Sequence, residues 1–167
     1  MNVNEERQMK IAVVYASKHG TTEKVAREIA RAADAEPIDL VEQPDPSLDG
    51  FDAIVVGGSV YAGQPTKALK NFLAAHQEVL LSKPLALFVC GMIPEAQKRA
   101  EEIAAVFPET LRKHALGCWF AGGEFRFDKL NFFERAIVKK ICHIESSISA
   151  LDPDVPGQIA QALQAVR

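Results

Sequence analysis

The sequence predicts an α/β protein in which helices cover both faces of a five-stranded parallel sheet, a three-layer, doubly wound sandwich. Short apolar runs alternate with helical patterns along the whole 167-residue chain. The runs are continuously apolar, which is typical of strands buried on both faces. Strands that alternate with helices are joined by right-handed crossovers. This pattern favours the strand order 2-1-3-4-5, whose ligands bind beyond the carboxyl ends of strands 1 and 3.

The elements follow one another in a regular order. The predicted strands are about Lys10–Tyr15, Pro37–Val41, Asp52–Gly57, Pro84–Cys90 and His114–Ala121. The predicted helices are about Thr22–Ala33, Thr66–His76 or slightly longer, Pro94–Val106, Leu130–His143 and Gly157–Val166. Because no repeat or linker divides the pattern, we expect a single domain over residues 1–167, with residues 1–8 mobile.

Composition excludes several classes of function. The net charge of −3 argues against a general nucleic-acid binder. No apolar run approaches the roughly 18 residues of a membrane helix, and the polar residues 1–10 predict no export signal. The cysteines, Cys90, Cys118 and Cys142, have no metal-ligand or CxxC spacing, so we expect neither a metal site nor a disulfide framework. A reducing cytoplasm is the expected location, and Cys90 is expected to be a small core residue.

The residues between the first strand and the first helix, ASKHGTT at 16–22, have the composition of an anion site. A strand that turns into a helix leaves N–H groups unpaired, and the helix dipole adds to their attraction for phosphate. Ser17, Thr21 and Thr22 add hydroxyls, and Gly20 permits a positive φ. The loop has neither the P-loop pattern nor GxGxxG, so one terminal phosphate, such as that of FMN, suits it. An ordinary hydroxyl-rich N-cap is the alternative.

Two further loops are expected at the same edge of the sheet, because the carboxyl ends of parallel strands meet there. After the third strand comes a glycine-rich loop, GGSVYAGQ at 57–64, whose amides would reach the edge of a flavin. Tyr61 would stack on the ring face, or else be an exposed loop aromatic or a partner contact. After the fourth strand, CGMIP at 90–94 would form a second wall.

With these loops, the chain resembles the flavodoxin family, and within it the branch that contains the menaquinone-dependent protoporphyrinogen dehydrogenase of bacterial haem synthesis. The resemblance covers about residues 10–143 and rests on the blocks 16–22, 52–72 and 121–143. It implies a flavodoxin-like fold and non-covalent FMN. By this resemblance the phosphate is held by Ser17, Lys18, His19, Gly20, Thr21 and Thr22. The ring is bordered by Gly58, Ser59, Val60, Tyr61, Ala62, Gly63, Gly91 and Met92.

The implied chemistry is electron transfer by FMN, for which the protein sets potential and access, so no catalytic side chain is assigned. The residues 57–66 contain no Asp or Glu, so we expect a flavin that is easier to reduce than in acidic flavodoxins. The leading expectation is an FMN-dependent oxidoreductase that oxidises protoporphyrinogen with a quinone acceptor. A small electron carrier that serves a protein partner is the alternative. A signalling module of the same fold is disfavoured, because the strand ends supply no paired acids or phosphoacceptor aspartate.

The segment Phe125–Lys140 combines four phenylalanines with five basic residues. A basic amphipathic stretch can dock on an anionic membrane surface or on a redox partner. Two alternatives are open: an ordinary crossover helix with Phe133, Ile137 and Ile141 in the core and a solvated basic face, which is the favoured one, and peripheral contact with the inner face of a membrane.

Overall fold

A computed structural model describes residues 7–61, 63–92, 95–125, 131–142 and 148–166. The strands are β1 Ile11–Tyr15, β2 Glu36–Asp39, β3 Ala53–Tyr61, β4 Gln64–Pro65, β5 Leu85–Cys90, β6 Gly117–Phe120, β7 Glu124–Phe125 and β8 Ile148–Ser149. The helices are α1 Thr21–Ala33, α2 Lys67–Leu81, α3 Ala96–Val106, α4 Glu109–His114, α5 Phe132–Cys142 and α6 Val155–Gln164.

Five parallel strands form the main sheet in the order β2-β1-β3-β5-β6. This is the predicted order once the two-residue β4, which pairs antiparallel with β3, is set aside. Tyr15 lies beside Gly57, and Ser59 lies beside Cys90. The carboxyl ends of β1, β3 and β5 are therefore neighbours at one edge, and this edge positions the candidate site.

Alternate strand residues pack into two cores, one on each face of the sheet. On β1, Ile11, Val13 and Tyr15 pack with α1 and α6, whereas Ala12 and Val14 pack with α2 and α4 on the other face. None of these five residues is more than 2 % exposed. The prediction of burial on both faces is confirmed for β1 and β5, whose residues are all buried, but not for the edge strands β2 and β6, which are partly exposed. Helix packing on both faces explains why the central runs are continuously apolar.

The third strand is longer than predicted, and the prediction of a glycine-rich loop over 57–64 is wrong for most of its length. Gly57 and Gly58 continue the pairing with β5, and the strand ends only at Tyr61. A Cβ atom at Gly57 would overlap the ring of Phe88, and one at Gly58 would overlap the side chain of Leu69. These glycines mark close packing rather than a turn.

The predicted fifth strand, His114–Ala121, begins too early. His114 is the last residue of α4, and the strand β6 starts at Gly117. The basic residues that end α4 (Arg112, Lys113 and His114) suit a helix C-terminus, where cations interact favourably with the dipole. The predicted second strand is also too long, because the Asp39 carboxylate accepts a hydrogen bond from Val41 N at 2.9 Å and turns the chain.

Between β6 and α6, the structure describes a second antiparallel strand pair, β7–β8, and the helix α5. We call residues 124–149 the excursion. The antiparallel pair β7–β8 closes its base, with Glu124 beside Ser149. The predicted helix Leu130–His143 exists as α5 within the excursion; residues 130 and 143 lie outside the described ranges. The helix that packs beside α1 on its face of the sheet is α6.

Because α6 already packs beside α1, α5 does not bury its apolar face there. Phe133 and Ile137 are 77 % and 53 % exposed, so the alternative that put them in the core is wrong. The side chain of Ile141 lies outside the described residues. Helical periodicity predicted the helix correctly but could not tell which neighbour covers it.

Candidate functional site

The turn from β1 into α1 presents oriented N–H donors. Gly20 is the N-cap of α1 and has φ 90°, so the predicted positive φ is confirmed. Its N–H donates to Ser17 Oγ at 3.0 Å, and its carbonyl accepts from Lys24 N at 3.0 Å. The helix itself offers no acceptor for the N–H groups of its first turn, at Thr21, Thr22 and Glu23. This geometry makes a cradle for an anion.

The hydroxyls of this loop point in different directions. Ser17 and Thr21 are half-buried, while Thr22 is only 1 % exposed. A hydrogen bond links the Thr22 hydroxyl to the sulfur of Cys90, below the loop. Thr22 therefore presents its backbone N–H to the cradle and uses its side chain to join α1 to β5.

Cys90 lies in the core beneath the cradle and is 2 % exposed. Burial raises the pKa of its thiol to about 12, so the sulfur is protonated at neutral pH and is a poor nucleophile. The prediction of a core cysteine is confirmed.

Two side chains of the loop at 16–22, Lys18 and His19, meet a carboxylate from the excursion. Glu134 Oε2 lies 3.3 Å from Lys18 Nζ and 2.9 Å from His19 Nε2. Glu134 is only 8 % exposed and is fixed at the start of α5. Its N–H donates to Asn131 Oδ1 at 2.8 Å, and its Oε1 accepts from Asn131 N at 3.4 Å. The carboxylate offsets the charge of Lys18 and occupies the Nε2 atom of His19, so the cradle depends mainly on backbone N–H groups.

Sequence reasoning missed Glu134, although a local signal was present. The pattern Asn131-Phe132-Phe133-Glu134 is a capping box, in which the first and fourth residues bond reciprocally. The pattern predicts where α5 begins. It does not predict that the same carboxylate reaches residues 18 and 19, which are more than one hundred positions away.

Glu134→Gln is expected to strengthen FMN binding about two- to fivefold, the effect of removing an opposing partly exposed charge. Glutamine still accepts from Asn131 N but frees Lys18 and His19 for the phosphate. Riboflavin, which has no phosphate, should bind both proteins equally well in the same titrations. Glu109→Gln, which breaks an exposed pair with Lys113 at 2.8 Å on α4, is the control. Weaker FMN binding by Glu134→Gln would show instead that this carboxylate holds the loop in shape.

A second contact ties the excursion to α1. Glu124 Oε1 lies 2.9 Å from Lys24 Nζ and accepts from Ser149 Oγ at 3.0 Å. The Glu124 side chain is 10 % exposed. The base of the excursion is therefore fixed one helical turn beyond the cradle, and its helix is fixed at the cradle by Glu134.

The residues predicted to border a flavin ring lie along the same edge. Ser59 and Val60 are half-buried in the end of β3, and Gly63 makes the turn into β4 with φ 76°. The side chain of Tyr61 and all of Ala62 lie outside the described residues. The stacking predicted for Tyr61 therefore stays a prediction.

The loop after β5 packs against the loop after β6. Gly91 N donates to the carbonyl of Gly122 at 3.0 Å. A Cβ atom at Gly123 would lie 2.9 Å from the carbonyl carbon of Gly91 and 3.1 Å from Met92 Cγ. The loop that contains Gly91 and Met92 therefore packs closely against Gly122 and Gly123. It lies at the edge of the sheet where β3 also ends.

An acidic group that the sequence analysis missed lies behind Gly91. A Cβ atom at Gly91 would lie 2.5 Å from Glu102 Oε2, which extends from the middle of α3. This buried oxygen has no hydrogen-bond partner among the residues that the structure describes. Burial raises the pKa of the Glu102 carboxyl. Residues 57–66 contain no acid, as noted from the sequence. Glu102, however, brings a carboxyl group from α3 to the neighbouring loop at Gly91.

Within the described ranges, no helix has the length and apolarity needed to cross a bilayer.

Known proteins resemble this chain in sequence and in fold. Protoporphyrinogen IX dehydrogenase (quinone) of Escherichia coli strain K12 is 22 % identical over 144 residues, covering 80 % of this chain and 78 % of that protein. Oxidised flavodoxin 2 from Bacillus cereus superimposes with a TM-score of 0.59 at 19 % identity, covering 95 % of this chain and 99 % of that one. The flavodoxin WrbA-like protein from Agrobacterium tumefaciens has a TM-score of 0.51 at 17 % identity, covering 93 % and 98 %.

The sequence also matches a model of a protein family. The family model described as flavodoxin domain matches residues 12–150, from β1 through the whole excursion. Proteins of this family bind FMN, the cofactor that the sequence analysis predicted. The predicted order of the parallel strands and the cradle at Gly20 agree with that assignment. The chain belongs to the flavodoxin-domain family.

Proposed function

We propose that this chain binds FMN and uses it as an oxidoreductase that oxidises protoporphyrinogen IX with a quinone as acceptor. The observation that carries the FMN part is the cradle, in which Gly20 at φ 90° begins α1 at the carboxyl end of β1. The reaction is suggested by the relative of 22 % identity, whose name is protoporphyrinogen IX dehydrogenase (quinone). A small electron carrier with the same cofactor remains the second candidate, favoured by the fold shared with flavodoxin 2.

In this proposal the phosphate of FMN lies at the loop before α1, and its ring lies at the ends of β3 and β5. The first-turn N–H groups of α1 and the Ser17 side of the loop suit a phosphate. In this proposal the phosphate ligands are Ser17, Lys18, His19, Gly20, Thr21 and Thr22. The ring lies against Gly58, Ser59, Val60, Tyr61, Ala62, Gly63, Gly91 and Met92. When bound, FMN supplies the redox chemistry.

The protein's own contribution is to orient the cofactor and limit its access to water. The close packing of Gly57 against Phe88 and of Gly58 against Leu69 fixes the end of β3, where the ring would lie. The two contacts of the excursion, Glu134 with Lys18 and Glu124 with Lys24, hold it against the loop at 16–22 and the first turn of α1, where the proposal puts the phosphate. No side chain is required as a nucleophile or base, because the electrons pass through the cofactor.

The first test is the absorbance spectrum of the fresh protein, followed by titration of FMN into the stripped protein. The proposal expects a flavin spectrum and binding of one FMN per chain. The second test is oxidation of protoporphyrinogen IX, followed by porphyrin fluorescence, with and without a quinone. Quinone-dependent oxidation supports the dehydrogenase. FMN binding without that oxidation would contradict the dehydrogenase and leave the electron carrier.

We also propose that α5 docks on an anionic membrane surface. Phe132, Phe133 and Ile137 are 81 %, 77 % and 53 % exposed, an unusual density of apolar surface for one helix. Arg135 and Lys140 are exposed on the same helix. Its sole acid, Glu134, is buried toward Lys18 and His19. The exposed surface is therefore apolar and positive, which complements an anionic lipid headgroup layer.

Replacing both Phe132 and Phe133 by serine is expected to lower binding to vesicles that contain phosphatidylserine at least about tenfold. Burying even one phenylalanine stabilises an interface by about 1.5–3 kcal/mol, and 1.4 kcal/mol is about tenfold in affinity. Co-sedimentation measures the effect. Val41→Ser is the matched control, because Val41 is 64 % exposed in the loop after β2. Equal sedimentation with neutral vesicles, or no change in the double variant, would contradict the docking proposal.

A further inference from the structure

The carboxyl group of Glu102 occupies an unusual position for a charged residue. It extends from α3 to the inner side of Gly91, at the carboxyl end of β5, where the ring of the cofactor is proposed to lie. Glu102 Oε2 lies directly against Gly91, because a single added Cβ atom on that glycine would lie 2.5 Å from the oxygen. On the same side, the Cζ atom of Phe120 would be 3.1 Å from that added atom.

This oxygen is buried, and no residue in the described ranges hydrogen-bonds to it. Proteins rarely leave a buried polar atom unsatisfied, because doing so costs the full desolvation of the group. Glu102 as a whole is half-buried, and Oε2 is the atom of its carboxyl that the structure records as buried. The unsatisfied group therefore points to a role in the function of the adjoining site.

Among the described residues, the basic side chains near Glu102 on α3 are placed against other groups. On its own helix, the Arg99 guanidinium lies over the Phe120 ring, 5.1 Å from the centroid. Lys98, which precedes Arg99 in α3, pairs with Glu95 at 3.2 Å. Burial is the cause of the raised pKa of Glu102, and the described part of the chain offers no ion pair that would offset it.

The strands packed against α3 present few titratable groups. From β6, Cys118 shares the core on this face. From β5, Cys90 belongs to the opposite core. The short strand β4, Gln64–Pro65, contains no titratable residue. From β3 the titratable residue is Tyr61, whose side chain is outside the described residues.

We propose that Glu102 couples reduction of the bound flavin to uptake of a proton, so that the carboxyl behind Gly91 sets the pH dependence of the flavin's reduction potential. This inference rests on the proposed FMN binding. The reductant supplies two electrons, and a flavin ring that takes them up with one proton carries a negative charge. A second proton leaves the solvent and bonds to an oxygen of Glu102, which offsets that charge.

The coupling must act in both directions, because the free energy that links two sites is reciprocal. A negative charge on the ring favours the protonated carboxyl, and an ionised carboxyl opposes the negative ring. At low pH Glu102 is already neutral and has no effect on reduction. As pH rises through its ionisation range, the ionised group makes reduction less favourable. Removing the carboxyl should abolish this additional pH dependence.

The experiment is potentiometry of the FMN-loaded protein, with dithionite as reductant, from about pH 5 to about pH 9, a range that extends well above the ordinary carboxyl pKa. The variants are Glu102→Gln, which keeps the shape, and Glu102→Met, which keeps the length without polarity. Glu101→Gln is the matched control, because Glu101 is the exposed neighbour on the same helix. Circular dichroism and FMN titration check that each variant folds and binds the cofactor.

We expect the wild-type potential to fall more steeply with pH than that of both Glu102 variants, with the curves converging at acid pH. At alkaline pH the variants should favour reduction about tenfold, or about 30 mV for a two-electron couple. Glu101→Gln should follow the wild type. Superimposed curves, or an offset that is constant across the pH range, would overturn the inference while leaving FMN binding in place. Failure of the wild type to bind FMN would overturn both this inference and the proposed function.

Discussion

Gly20→Val is expected to lower the affinity for FMN about 10- to 100-fold while the protein remains folded. Gly20 has φ 90°, a conformation that a β-branched residue avoids. Holding such a residue there costs about 1–3 kcal/mol, and each 1.4 kcal/mol is about tenfold in affinity. The loop relieves that strain by turning the first N–H groups of α1 away from the phosphate. Isothermal titration of the stripped protein with FMN measures the loss.

The control variant Gly50→Val introduces the same kind of backbone strain at a position outside the cradle. Gly50 has a similar φ of 86°, is exposed in the loop before β3, and has no atom within 4 Å of an added Cβ. The same kind of strain should lower the free energy of unfolding there but leave FMN affinity unchanged. If both variants weaken FMN binding equally, or if Gly20→Val binds as the wild type does, the cradle is not the phosphate site.

Gly57→Ala is expected to lower the free energy of unfolding by about 2–3 kcal/mol, the upper part of the range for overpacked cores. The added Cβ atom would overlap the ring of Phe88, which is fully buried between the central strands and α1. Neither β3 nor β5 can move apart without breaking the ladder in which Gly57 and Phe88 are neighbours. Urea unfolding measures the change as a lower midpoint with an unchanged slope.

Two further variants test the origin of that effect. Gly157→Ala, exposed in the first turn of α6 with no atom within 4 Å of the added Cβ, should raise the free energy of unfolding by about 0.5–1 kcal/mol. Phe88→Leu in the Gly57→Ala background should recover part of the loss, because the smaller side chain makes room. A Gly57→Ala protein as stable as the wild type would mean that the strands are not packed as described.

The sequence predicted the parallel sheet well, because its signals are long and repeated. Continuous apolar runs indicate strands covered on both faces, and the alternation with helices leaves few possible strand orders. The cradle was also predictable, since Gly20 and its hydroxyl neighbours come directly after a strand. Its outcome in the structure, a positive φ at the N-cap of α1, is the one the sequence indicated.

The rest depends on contacts between distant residues. Strands of two residues, such as β7 and β8, carry no periodicity, and they pair across a separation of more than twenty residues. The glycine pair at 57 and 58 indicated a turn, yet its cause was the volume of Phe88 and Leu69 on other elements. Glu134 and Glu102 lie on amphipathic helices, where a charge is usually solvent-exposed. Only the three-dimensional arrangement shows that both turn toward the site.

The most direct test of the account compares FMN with riboflavin by calorimetry on the stripped, folded protein. The two ligands share the ring and differ in the phosphate, which the N–H groups at the start of α1 are proposed to hold. The account predicts one FMN per chain and binding at least about tenfold tighter than riboflavin, the contribution of charge-assisted hydrogen bonds to the phosphate. Absence of FMN binding, or equal affinity for the two ligands, would contradict it.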